Sequence, residues 1–361
     1  MPLIKNLQPS TPFLSLDLDI LESNIRIIKK FLSDRNCHWR PHSKAHKCPS
    51  IAHKQIEAGA IGITCAKLSE AEVMVENGID NILLANQITS EEKWSRLASL
   101  QNQAEVIACV DDIEVLPGIQ KACEVFNVKI PMLIELDIGM GRVGVSNVDL
   151  IVEIAKKITS YDRLTFRGLM GYEGHVLELK PPSVKQNACR TAIEILLNCR
   201  DLLNKKGIHC EIISAGGTGS YEYSSNIQGI TEIQAGGGIF MDRKYRDEFH
   251  VHSLDMALHL QTSITSRKAR QIVTDSGFKA ISAYHGDPIV TNWPDLTLKY
   301  LSAEHGVWAL SEKTDLPPLG YQLSLIPGYT DSTTMLHRNF YGFRKGILES
   351  VFPISAAGFL D

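Results

Sequence analysis

The chain has 361 residues, 44% of them apolar and 22% charged, a globular composition with room for one large barrel or a barrel with a smaller second domain. Lysine and arginine number 37 against 41 aspartates and glutamates, a formal charge of −4; with no basic run to follow a phosphate backbone, nucleic acid is excluded as an expected partner. No apolar stretch approaches the roughly 20 residues needed to cross a bilayer, and the opening MPLIKNLQPS lacks a signal peptide's apolar core, so a cytoplasmic protein with no membrane contact is expected.

In chain order, FLSLDL from Phe13 reads as a strand and ILESNIRIIKKFL from Ile20 as a helix that together lead into the fold. Eight short apolar runs follow, each ending in polar or glycine-rich residues: HWRPHSK (His38), IGITCA (Ile61), NILLAN (Asn81), AEVIACV (Ala104), PMLIELDIGMG (Pro131), FRGLMGYEG (Phe166), CEIISAGG (Cys210) and EIQAGGG (Glu232). Between them lie amphipathic segments such as SEAEVMVENG and KQNACRTAIEILLNCRDLLNKKG, most closed by a glycine where a left-handed cap is needed. Eight strand–helix repeats predict a (β/α)8 barrel; a doubly wound open sheet is the alternative reading of the same pattern.

From about residue 250 the texture changes to shorter β-branched strands without long helices, so an antiparallel β domain is expected. The expected division is a barrel over residues 12–250 and a β domain over 251–361, to which residues 1–11 add a strand. The eight cysteines form no C-x-x-C pair or zinc-finger spacing, and read as reduced, buried thiols.

In a barrel, reactive groups gather at the C-terminal ends of the strands. The first run ends in RPHSKAHK, which places Lys44 among Arg40, His42 and His46. A lysine there can lose its proton through desolvation and neighbouring positive charge and link covalently to an aldehyde, although a solvated charge is the blander reading. The seventh and eighth runs end in AGGTGS and AGGG, small residues that let backbone N–H groups approach a phosphate where barrels usually bind one. The fifth ends in DIGMGRVG with Arg142, and the sixth in GYEGH with Tyr172, Glu173 and His175. A phosphate cradle, an amine and an arginine at one barrel mouth match the needs of pyridoxal 5′-phosphate (PLP).

The motifs RPHSKAHK, GITCAKLSEAEVM, ELDIGMGRVGV, GLMGYEGH, SAGGTGSY, TEIQAGGGIFMD and IPGYTDSTTMLH, spread over nearly the whole chain, resemble the fold-type III PLP enzymes with an alanine racemase-like barrel, and within them the D-threonine aldolase and D-serine dehydratase family. The resemblance implies that Lys44 carries PLP, that Arg142 approaches the pyridine nitrogen and that Tyr172 contacts the ring. It also implies that Thr218 and Gly219 with Gly237 and Gly238 hold the phosphate, and that His46 or His175 lies near the substrate, with a structural role as the alternative for each histidine.

In the resembled aldolases and dehydratases a divalent metal, held by a His-x-Cys or His-x-Asp pair in the β domain, binds the substrate's β-hydroxyl. Here the matching stretch is Pro327-Gly328-Tyr329-Thr330-Asp331, so Tyr329 stands where the histidine is expected and Asp331 persists as the acidic ligand. Such half a site would hold Mn²⁺ or Mg²⁺ only weakly. Glu304 and His305 are further candidate ligands, or structural groups.

The expected activity is therefore a PLP-dependent lyase on a β-hydroxy-D-amino acid, with retro-aldol cleavage to glycine and an aldehyde. Three readings stay open beside it: a serine or hydroxyaspartate dehydratase, a metal-independent racemase or epimerase using Lys44 and Tyr329, and a non-catalytic PLP carrier. Its partners are expected to be a small amino-acid substrate and a second copy of the chain, as a homodimer.

Overall fold

Each of the eight apolar runs contributes one strand to a parallel sheet. In the computed structural model, which describes residues 9–311 and 315–361, the chain opens with β1 (Phe13–Asp17) and helix α1 (Leu18–Ser33). The barrel strands are then β2 (His38–Trp39), β3 (Ile63–Cys65), β4 (Asn81–Leu84), β5 (Glu105–Val110), β6 (Ile130–Glu135), β7 (Leu164–Met170), β8 (Ile212–Ala215) and β9 (Glu232–Ile233). Helices α2 (Pro49–Glu57), α3 (Leu68–Glu76), α4 (Glu91–Leu100), α5 (Leu116–Phe126), α6 (Val148–Ser160), α7 (Pro182–Lys205) and α8 (Tyr221–Ser224) alternate with them.

The parallel sheet runs in the order β2-β9-β8-β7-β6-β5-β4-β3. Its two ends are joined by a parallel bridge between His42 and Thr64 and by N–H donation from Ile61 to the Trp39 carbonyl at 2.9 Å, which closes the barrel. Inward-facing Leu83, Ile107, Cys109, Leu133, Met170 and Ile212 fill it with one packed cluster, as expected of a barrel whose interior is core and not pore. Local chemistry sets the helix ends: Asn147 accepts N–H bonds from Asp149 and Leu150 at the start of α6, while Gly78 and Gly207 take positive φ just past α3 and α7.

The second sheet is built from β1, β10 (Leu258–Lys268), β11 (Gln271–Thr274), β12 (Ile289–Val290), β13 (Leu296–Leu301), β14 (Gly306–Leu310), β15 (Gln322–Ile326), β16 (Asn339–Arg344) and β17 (Ile347–Pro353). A one-turn helix, α9 (Thr330–Thr334), follows β15. All its pairings are antiparallel except that of β1 with β16. Of the described residues, those up to Ile27, in Ala45–Ser50 and in Gly237–Gly358 form one unit, and Ile28–Lys44, Ile51–Gly236 and Phe359–Asp361 form the other, the barrel.

One element departs from the sequence reading. The strand Phe13–Asp17 does not lead into the barrel sheet; it pairs with Leu258–Gln261 on one side and Phe340–Phe343 on the other. From Leu14 onward its burial alternates, which suits a sheet with one covered face. The added strand expected from residues 1–11 falls largely outside the described residues. All eight cysteines are buried free thiols, and burial pushes those of Cys37, Cys189 and Cys210 up to about 12, so they stay protonated and behave as small apolar side chains. Among the described residues no helix is long and apolar enough to cross a membrane.

Candidate active site

Lys44 sits half-buried in a single 3-10 turn, Ser43–Ala45, three residues past β2. That turn is held from two sides. The buried Ser43 Oγ lies 2.6 Å from Glu70 Oε1 of α3 and 2.9 Å from the Thr64 carbonyl of β3. On the other side Gly236, just past β9, packs so closely that a Cβ there would lie 2.0 Å from the His42 carbonyl oxygen. Only a residue without a side chain permits that approach, and it fixes the backbone two residues before the lysine.

Arg40, read from the sequence as a neighbour of Lys44, is engaged elsewhere. Its Nε lies 3.0 Å from both carboxylate oxygens of Glu232, with each side chain only 3% exposed, and its guanidinium also bonds Asn81. Arg40 ties β2, β9 and β4 together, which is a structural task.

The loop bearing Arg142 is ordered by Asp137, whose carboxylate accepts the N–H groups of Gly139 and Gly141, each at 3.0 Å. Those bonds hold its acid below the usual carboxylate range. Arg142 is exposed on this loop and its charge opposes the burial that raises Glu135. The His175 ring lies over Gly139, where a Cβ would come within 2.7 Å of Nε2. Thus the sixth-strand histidine and the fifth-strand loop do meet.

Tyr172 faces the glycine loop after β8. A Cβ on Gly217 would sit 3.0 Å from the Tyr172 ring, so the phenol packs against the bare backbone there. Within the loop, Ser220 Oγ accepts the Gly217 N–H at 3.1 Å, and Thr218 and Gly219 are buried. A tight loop of small residues beside an aromatic ring suits a phosphorylated aromatic cofactor: small residues leave backbone N–H groups approachable by phosphate oxygens, and the ring offers a flat apolar contact.

Glu173 is the residue whose role the sequence left blank. Fully buried, it accepts the Gly216 N–H at 3.2 Å through Oε2 and the Ser224 hydroxyl through Oε1. Two donors, one from the glycine loop and one from α8, converge on a carboxylate from the neighbouring strand end, so Glu173 fixes the shape of the glycine loop from behind. The only hint in the sequence was an acid between two positions already suspected of touching the ligand.

The other unit holds the remaining predicted residues. His46 is buried, with Nδ1 accepting the Cys48 N–H at 3.1 Å; in the neutral ring the proton therefore sits on Nε2. Gly237 and Gly238 lie in a buried 3-10 turn, and a Cβ on Gly237 would meet the Tyr245 hydroxyl at 2.5 Å. The Tyr329 hydroxyl donates to Asp331 Oδ2 at 2.8 Å. Behind them the buried Asp242 accepts the N–H and hydroxyl of Thr330 and the N–H of Tyr245. Burial lifts the Asp242 acid to about 7 despite those bonds.

A divalent metal fits these residues poorly. No group of three or more His, Cys, Asp or Glu placed to hold an ion occurs among the described residues. Asp331 already accepts the phenol that stands where an imidazole is needed, Glu304 is paired with Lys279 at 2.6 Å on the surface, and His305 is exposed.

Comparison with known proteins places this geometry in a context. Residues 16–244 match the family described as alanine racemase, N-terminal domain, and residues 257–343 match a putative serine dehydratase domain. The chain is 35% identical to the D-threonine aldolase of an Arthrobacter species, over 97% of this chain and 93% of that one. It is 34% identical to the 3-hydroxy-D-aspartate aldolase of Paracoccus denitrificans, over 96% and 92%. The crystal structure of D-threonine aldolase from Filomicrobium marinum superposes with a TM-score of 0.94 at 32% identity, covering 98% of this chain and 96% of that one.

Proposed function

We propose, because the chain belongs to the alanine racemase-like family that includes the D-threonine and 3-hydroxy-D-aspartate aldolases, that it cleaves a β-hydroxy-D-amino acid into glycine and an aldehyde. The protein is a PLP-dependent lyase. When bound, PLP supplies an electron sink for the pair released at the substrate's Cα.

The chain's own residues divide the remaining work. Lys44 is the amine that holds the cofactor, Tyr172 and Arg142 bound its ring, and Thr218, Gly219, Gly237 and Gly238 offer N–H groups to its phosphate. The β-hydroxyl must lose a proton as its oxygen becomes the aldehyde carbonyl, the Cα–Cβ bond must break, and Cα must gain a proton to give glycine. His46, His175 and Tyr329 are the groups we assign to carrying those two protons.

The observation that carries this reading is the placement of Lys44 on a turn pinned by Ser43, Glu70 and Gly236 at the C-terminal end of the first barrel strand. Incubation of the holoenzyme with D- and L-threonine, their allo isomers and the 3-hydroxyaspartates tests it. Glycine with the matching aldehyde from a D isomer is expected. An oxoacid with ammonia would move the protein to the dehydratases, and Cα deuterium exchange without bond cleavage would move it to the racemases. We further assign it to the cytoplasm, which cell fractionation checks, and to a homodimer, which light scattering at working concentration checks.

A further inference from the structure

Tyr329 and Asp331 are attended by a cation that the sequence did not bring to notice. The segment after Gly238 runs through Asp242 to Tyr245 and is bonded by its backbone to the segment before α9: the N–H of Arg243 donates to the Pro327 carbonyl at 3.3 Å, and that of Lys244 to the Gly328 carbonyl at 3.0 Å. Asp242 adds its bonds to Thr330. This double anchorage places the backbone of Lys244 against the segment that bears Tyr329. Lys244 is 7% exposed, and its Nζ lies 2.7 Å from His285 Nδ1, 3.8 Å from Glu248 Oε2 and 5.8 Å from the centre of the Tyr329 ring. The His285 ring meets Tyr329 edge-on, with 5.4 Å between centroids.

We propose that Lys244, held by His285, is the fixed positive charge of this site, and that the enzyme works without a divalent metal. The proposal rests on the lyase reading above. An ammonium needs no ligand set, whereas tight binding of a divalent ion takes several oxygen or imidazole donors from the protein. Here part of that donor set is already engaged: Asp331 Oδ2 accepts the Tyr329 phenol, and His285 Nδ1 faces Lys244. A divalent ion brought to the same place would also meet the repulsion of a buried ammonium. In the cleavage reaction a cation near the β-oxygen lowers the cost of the negative charge that grows there, and in this chain the ammonium of Lys244 supplies it.

The test uses the purified holoenzyme after dialysis against chelator, with total metal analysis and Mn²⁺ titration by electron paramagnetic resonance beside the cleavage assay. Expected are no stoichiometric metal, no saturable Mn²⁺ site and a rate unchanged by chelator or added Mn²⁺. Lys244→Met is expected to lose activity by about 100-fold or more, the scale of losing one charge-stabilising group, while keeping the cofactor's absorbance; Lys244→Arg should retain more activity than Lys244→Met. A tightly bound ion, a rate abolished by chelator and restored by Mn²⁺, or full activity in Lys244→Met overturns the proposal. Should no β-hydroxy amino acid be cleaved at all, the lyase reading fails separately, because metal content and Mn²⁺ binding still decide this one.

Discussion

Replacing Glu173 probes whether the glycine loop after β8 is preorganised for its ligand. In the native protein its two carboxylate oxygens accept the Gly216 N–H and the Ser224 hydroxyl inside a fully buried site. Glu173→Ala removes both acceptors. The Ser224 hydroxyl can turn to another partner, but the Gly216 N–H is left buried and unsatisfied, at a cost of about 1–3 kcal/mol. If the loop must be reordered when the cofactor phosphate arrives, that cost appears in PLP affinity, and at 1.4 kcal/mol per tenfold it weakens binding by roughly 5- to 150-fold. Glu173→Gln keeps one carbonyl for the Gly216 N–H and turns its NH2 toward a hydroxyl that can accept, so its loss should be smaller, near tenfold or less. Titration of the apoprotein with PLP, followed by cofactor absorbance, gives the dissociation constants, and thermal melts of the apoproteins separate loop shape from global stability. Glu173→Ala binding PLP within about twofold of the native protein would refute the reasoning, and so would Glu173→Gln binding as weakly as Glu173→Ala.

Other perturbations bear on the framework. Arg40→Met takes from Glu232 its guanidinium partner at 3% exposure, and should cost about 3–5 kcal/mol, whereas Arg40→Met with Glu232→Leu should recover most of it; denaturant unfolding of the two proteins decides. Gly236→Ala forces a methyl toward the His42 carbonyl, so lowered occupancy of Lys44 by cofactor is expected at unchanged secondary structure, read by absorbance and circular dichroism. Asp242 carries a folded-state acid raised to about 7 from 3.8. Its stabilising contribution is therefore complete below the unfolded value and lost as pH rises through about 7, on the order of 4 kcal/mol in all. The stability difference between the native protein and Asp242→Asn should shift in that sense between roughly pH 4 and 8, and parallel curves for the two would contradict it.

Much of the barrel is legible in the sequence because each strand is a short apolar run stopped by turn chemistry, and such runs have few alternatives to a buried parallel strand. The strand Phe13–Asp17 misled for a physical reason. It has the local pattern of any half-buried strand, and what decides its sheet is pairing with residues some 240 to 330 positions later, which no local window encodes. The glycine clusters and Lys44 stood out because small residues and a strand-end amine have few other uses in combination. Arg40 was read for its charge, yet its charge is spent on Glu232 across the β2–β9 seam. Asp242 and Lys244 were invisible as site residues: FMDRKY has neither glycine signal nor periodicity, and their importance comes from backbone bonds to residues 327–330. Glu173 lay in view without a role, since its function is exerted from behind the loop it holds.

The central claim is that one amine, Lys44, carries the cofactor. Borohydride reduction of the native holoenzyme, followed by proteolysis and mass spectrometry, tests it most directly. A pyridoxyl group on the peptide that contains Lys44, and absent from the Lys44→Ala protein, is the predicted result; a pyridoxyl group on Lys47, Lys185 or Lys244, or none on any lysine, would contradict the account.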